Sequence, residues 1–279
     1  MPFNQLNYFN DLQVTFSATV LFLSVSFWMS VFEDFFGSDY LLEEEKILDS
    51  NIEYSISESR AHNIVNAISV FAINTASYRA KLLLRAGTCS AAFFIFSIHQ
   101  NISVAFLLIS LIFNLAIGLR SRFGLDGTYH MSMLILPCSI LIFVMPSKLS
   151  LIVQAYFCSQ MVLCYLASGF VKMYSKVWRT GECLSGIFST DAYGHPAMMH
   201  IFRFGSIAFV AAWIVMIGEI LIGLSSLMSD TIFYSSLIFG VLLHFSFALF
   251  MGLNKFFWTW LAAYPLWIFS RNGVLLLFG

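Results

Sequence analysis

The chain has 279 residues, 59% of them hydrophobic and only 10% charged, and its formal net charge is −1. Soluble globular domains carry about 25% charged residues, so that class is excluded. The lack of a basic excess also excludes a nucleic-acid-binding surface, which must neutralise phosphates. Mean hydropathy is +0.83, and the apolar runs are continuous, as transmembrane helices require and alternating β-barrel strands do not.

The opening "MPFNQLNYFNDLQ" contains no Lys or Arg. It therefore lacks the basic n-region of a cleaved signal peptide, and the first apolar run is expected to stay as a membrane helix. Eight spans follow in order, at roughly 14–36, 77–97, 101–119, 131–147, 151–172, 203–226, 232–252 and 254–270. The expected fold is all-α, a polytopic transmembrane helical bundle forming a single domain over 1–279.

Three connections carry information. The first, 37–76, opens on the acidic, polar "GSDYLLEEEKILDSNIEYSISES" and ends on "HNIVNAISVFAIN". That end is apolar but too short and too interrupted by Asn to span, so a surface or re-entrant helix is expected near 61–76. The second, "GLRSRFGLDGTYH" at 118–130, places Arg122, Asp126 and His130 beside the membrane around an Asp-Gly turn. The third, 173–202, follows Lys172 and reads as a loop up to "HPAMMH". The last span starts at "GLNKFF", where Gly252 and Asn254 permit a tight reversal.

The residues that could carry chemistry lie at these membrane edges and inside the spans. In "YLASGFVKMYSKVWRTGECL", Lys172, Lys176 and Arg179 fall at i, i+4 and i+7, so an unbroken helix would align three cations on one face. Crowded and buried, Lys172 would lose its proton more readily and could serve as a base. Tyr165 and Ser168 lie on roughly the same face. The same residues also fit snorkelling anchors, with Trp178 in the aromatic belt. Glu219 in the sixth span and His244 in the seventh are intramembrane ionisable groups, which are functional-site candidates or buried packing partners.

Five cysteines form no CxxC pair, and the histidines show no ligand spacing, so neither a disulfide framework nor a metal site is indicated. Phosphate-binding glycine loops, the GxSxG elbow and HExxH are absent.

Four segments in order resemble the HTTM superfamily, which includes the vitamin K-dependent γ-carboxylases. They are "ISVFAINTASYRAKLLLRAG", "GLDGTYHMSMLIL", "YLASGFVKMYSKVWRTGECL" and "LLHFSFALFMGLNKFF", together covering about 66–270. Within that superfamily the chain looks closest to SdpB-like membrane proteins, which take part in maturing a secreted bacterial peptide toxin. The resemblance implies Lys172 as a base, with Trp178 and Gly181 in the same motif and His244 and Asp126 completing a cavity. Tyr165, Trp178, Arg122, Lys176 and Glu219 would line it toward substrate. It also implies a multi-pass protein of the bacterial inner membrane, a small secreted peptide and a partner maturation protein as partners, and a quinone-like molecule as a conceivable cofactor.

Orientation is read in two ways. Lys and Arg counted by loop would make the odd-numbered connections cytoplasmic, whereas the resemblance puts connections three and five outside. The chain has no counterpart of the large lumenal domain that holds substrate propeptides in the γ-carboxylases, so glutamate carboxylation is not expected. The alternative is a non-enzymatic transporter-like or immunity protein that binds a peptide or lipid.

Overall fold

The computed structural model describes residues 5–36, 75–120, 126–190 and 193–275. These are 90% helical, with no strand among them. The long helices are α1 (Gln5–Phe36), α2 (Thr75–Phe96), α3 (Gln100–Arg120), α4 (Gly127–Val144) and α5 (Ser147–Tyr174). Three short helices follow: α6 (Lys176–Thr180), α7 (Glu182–Phe188) and α8 (Pro196–Phe202). Three long ones complete the chain: α9 (Gly205–Ser225), α10 (Asp230–Met251) and α11 (Asn254–Leu275).

Every apolar run expected to span is helical, and 6 of the helices are long and apolar enough to cross a membrane. This is a multi-pass membrane architecture. Two long helices fall short of that measure. In α2 the cause is Arg79, Lys81 and Arg85; in α11 it is a lower hydropathy, with Lys255 and Arg271 among its residues. The surface helix expected near 61–76 lies outside the described residues up to position 74, and Thr75 already belongs to α2. Pro137 and Pro265 sit inside α4 and α11, a placement that membrane helices tolerate when neighbouring groups satisfy the freed backbone.

Helix contacts define two compact units, Met1–Phe143 and Val144–Gly279. In the first, α2 packs against both α1 and α3. Phe16 stacks on Phe96 at 4.5 Å and meets Phe143 at 4.9 Å, closing an aromatic core. Polar stitches cross the helices: Trp28 Nε1 donates to Ser90 Oγ at 3.0 Å, Ser103 Oγ to the Ala92 carbonyl at 2.7 Å, and Arg79 to Asp34 at 3.3 Å. In lipid, such bonds substitute for the hydrophobic drive that acts in water.

In the second unit α5 packs along α9 and α11, and α10 joins both α9 and α11. The α5–α9 approach depends on Gly169, where a Cβ would lie 2.6 Å from Ile220 Cγ1 and 3.0 Å from the Met216 carbonyl. Small residues at such crossings let helix backbones come together. The turn from α9 to α10 is held from α11: Arg271 donates to the Ser226 and Met228 carbonyls at 3.0 and 2.6 Å and to Asp230 at 2.7 Å. Gly252, with φ 71°, ends α10 in the left-handed region, and α11 begins two residues later, as the sequence anticipates.

Candidate functional site

Helix α5 ends at Tyr174, and Ser175 is extended, with φ −73° and ψ 126°. The unbroken helix that would align Lys172, Lys176 and Arg179 therefore does not exist. Nothing in "KMYSKVWR" forbids a helix on propensity. The break comes from packing, because the chain turns back to lay α6 and α7 against α9.

Cys183 and Leu184 bury against Ala208, Ala212 and Met216, with Trp178 and Trp213 packed beside them. Trp213 Nε1 donates to the Arg179 carbonyl at 3.3 Å. Gly181 makes the fold-back possible in two ways. Its φ is 82°, and an added Cβ would lie 2.5 Å from Phe209 N and 2.7 Å from the Ala208 carbonyl carbon, both backbone. Only glycine meets both demands.

With the stripe broken, the three cations part. Lys176 and Arg179 are exposed, while Lys172 turns inward. Its Nζ donates to both oxygens of Glu219, at 2.8 and 2.7 Å, and to Ser168 Oγ one turn earlier on α5. The Trp178 ring lies 5.4 Å from the ammonium, within reach of a cation–π contact. Side-chain exposure is 20% for Lys172 and 8% for Glu219. Lys172 is thus neither a headgroup anchor nor one of a crowd of cations. It is half of an ion pair, and the tertiary partner of Glu219 is Lys172 itself, not a neighbouring Tyr or Ser.

Two turns before the ion pair on α5 lies a second polar group. The Tyr165 hydroxyl is 2.9 Å from His244 Nε2 and 2.7 Å from the Tyr264 hydroxyl. Tyr165 also stacks on Trp267 at 5.7 Å, and His244 on Trp260 at 4.8 Å. Gly240, one turn before His244, leaves the space that the Tyr264 hydroxyl enters. The ion pair and the Tyr–His–Tyr cluster share helix α5, with Lys172 and Tyr165 two turns apart on it. His244 Nδ1 is enclosed with no partner among the described residues.

The second unit therefore brings together Lys172, Glu219, Tyr165, His244 and Trp178 from the sequence reading, and adds Ser168 and Tyr264. Sequence gave no pointer to Tyr264, because a tyrosine in an aromatic-rich span has no distinguishing spacing. Asp126 belongs to the first unit, where it caps α4: its Oδ1 accepts from the Tyr129 N–H at 2.8 Å, and its carbonyl accepts from His130 N at 3.2 Å. The expected Asp-Gly turn is instead a helix start. Arg122 lies outside the described residues. "HPAMMH" is a short helix and not a loop, with His195 accepting from Met198 N at 3.4 Å as its cap.

Cys183, beside the ion pair and outside the spanning helices, is no activated nucleophile. Burial raises its thiol, outweighing the backbone N–H groups and the Lys172 charge that oppose the rise. Among the described residues no group of His, Cys, Asp and Glu could hold a metal. No protein-family model, curated protein or solved structure matches this chain.

Proposed function

We propose that the chain is a multi-pass membrane protein of the HTTM, SdpB-like type. In this reading it spans the membrane about eight times and acts in maturing or exporting a small secreted peptide through a lysine-centred site. The observation that carries the proposal is the inward turn of Lys172 onto Glu219 and Ser168, beside the Tyr165–His244–Tyr264 cluster. An ion pair placed among membrane helices is costly to assemble, and its usual return is function.

The pairing alters the chemical logic expected from sequence. Lys172 is not made basic by neighbouring cations. Its base would form when the ammonium proton passes to a Glu219 oxygen 2.7 Å away, leaving a neutral amine and a neutral acid. Tyr165 and Tyr264, joined hydroxyl to hydroxyl, form a second polar group two turns along α5 from the amine. A peptide group or a quinone-like molecule of the kind the resemblance implies would meet that amine.

The test is peptide maturation by a Lys172→Met variant with membrane abundance checked. Loss of maturation per molecule of membrane-inserted protein is expected, beyond any fall in abundance, and wild-type maturation per molecule would sink the proposal. A transporter-like or immunity role is the second reading, favoured by both oxygens of Glu219 engaging Lys172, as a closed ionic gate would. Under it, Lys172→Met/Glu219→Leu, which cannot open or close, would leave the peptide unaltered chemically but change its export or toxicity.

A further inference from the structure

The first unit holds a buried cation that the site above does not use. Arg85, in α2, is 5% exposed. Its Nη1 donates to Asn114 Oδ1 at 2.9 Å, and its guanidinium lies 4.2 Å from the Phe27 ring centroid. Its Nε has no partner among the described residues, and no carboxylate of those residues lies within ion-pair distance. The acidic group whose charge reaches it is Asp126, but that carboxylate accepts from the start of its own helix.

A guanidinium does not shed its proton to escape burial. An uncompensated buried charge costs several kcal/mol by general experience, and the surroundings of Arg85 are built as though for a further acceptor. Asn114 is fixed in orientation: its Nδ2 donates to Ser132 Oγ at 3.0 Å, and Ser132 in turn donates to the Tyr129 carbonyl at 2.9 Å. The amide oxygen is thereby aimed at Arg85, and the Nη1 corner is occupied. Ser110 Oγ donates to the Arg85 carbonyl at 3.1 Å, pinning the backbone. The remaining Nε/Nη2 edge is the one that grips an oxyanion with two parallel bonds. Three helices and the Phe27 ring thus hold the charge in place while leaving its bidentate edge without an acceptor.

We propose that Arg85 binds a small oxyanion, a carboxylate or phosphate group, at its Nε/Nη2 edge within the first unit. The anion arrives either as a lipid headgroup or as a free solute, and the same edge serves both.

The experiment uses the purified full chain and reads the midpoint of thermal unfolding. In one arm, detergent-solubilised protein is titrated with sodium acetate or inorganic phosphate against chloride at constant ionic strength. In the other, nanodiscs of pure phosphatidylcholine are compared with nanodiscs containing phosphatidylglycerol. A saturable rise with acetate or phosphate identifies a solute. A rise only with phosphatidylglycerol identifies a headgroup. Arg85→Met is expected to abolish the rise. Asn114→Ala, which keeps the charge but frees its orientation, should weaken apparent affinity roughly 10-fold, as loss of one hydrogen bond to a charged group does. No rise over chloride and phosphatidylcholine in the wild type overturns the proposal. So does an equal rise in Arg85→Met or, should that variant fail to accumulate, an unchanged affinity in Asn114→Ala.

Discussion

The second unit answers a half-buried cation with a carboxylate, the first a buried one with an amide and a ring. Lys172 meets both oxygens of Glu219, while Arg85 meets Asn114 and Phe27. The difference follows from the cations themselves. An ammonium can hand its proton to a paired acid and become neutral, so its pair can change state. A guanidinium keeps its charge, so its site can only be filled or vacant. Under the proposed function, one unit holds a proton that can move and the other a charge that stays.

The comparison breaks most visibly through a double-mutant cycle on the ion pair. Lys172→Met alone or Glu219→Leu alone should each destabilise the protein by about 3–5 kcal/mol, because each leaves an unpaired buried charge. Lys172→Met/Glu219→Leu should recover most of that loss in thermal unfolding. Additive losses in the double variant would show that the two residues are not one energetic unit.

Gly181→Ala comes next. The left-handed backbone alone opposes alanine by about 1–2 kcal/mol, and the contact with the Phe209 backbone adds to it. The expected signs are a lowered unfolding midpoint and protease access near 175–184, with Trp178 released from the Lys172 end of the pair. In the first unit, Asn114→Ala should cost about 1–3 kcal/mol. Unlike the ion pair, it should find no rescuing change at a single acidic residue.

The smallest effect concerns Cys183. Folding raises its thiol, so the unfolded chain loses this proton at lower pH than the folded one. Stability from this group is therefore present below the ordinary thiol range, near 8.5, and declines as pH rises through it. Cys183→Ser should flatten that decline, and alkylation of Cys183 at neutral pH should be slower than that of a free cysteine.

The helices were legible because lipid sorts residues by a single property, and long apolar runs have few alternative fates. The end of α10 was legible too, since Gly252 is the residue type that a left-handed helix end favours. The break at Ser175 was not, because the residues on both sides tolerate a helix and the break is imposed by burial of Cys183 and Leu184. Lys172 and Glu219 could each be singled out as unusual, but their pairing spans 47 positions and depends on the close approach at Gly169. Arg85 left a signal that went unused. It lies inside an expected span, at 77–97, where a cation is as exceptional as Glu219 is in its own.

Arg271 sets an order of events for the nascent chain. The carbonyl of Ser226 is satisfied by a residue 45 positions later, so the α9–α10 hairpin cannot complete its turn while it is being synthesised. Until α11 is made, the Ser226 and Met228 carbonyls lack the donor that holds them in the folded unit. The fastening of this hairpin therefore arrives after the hairpin itself, with α11.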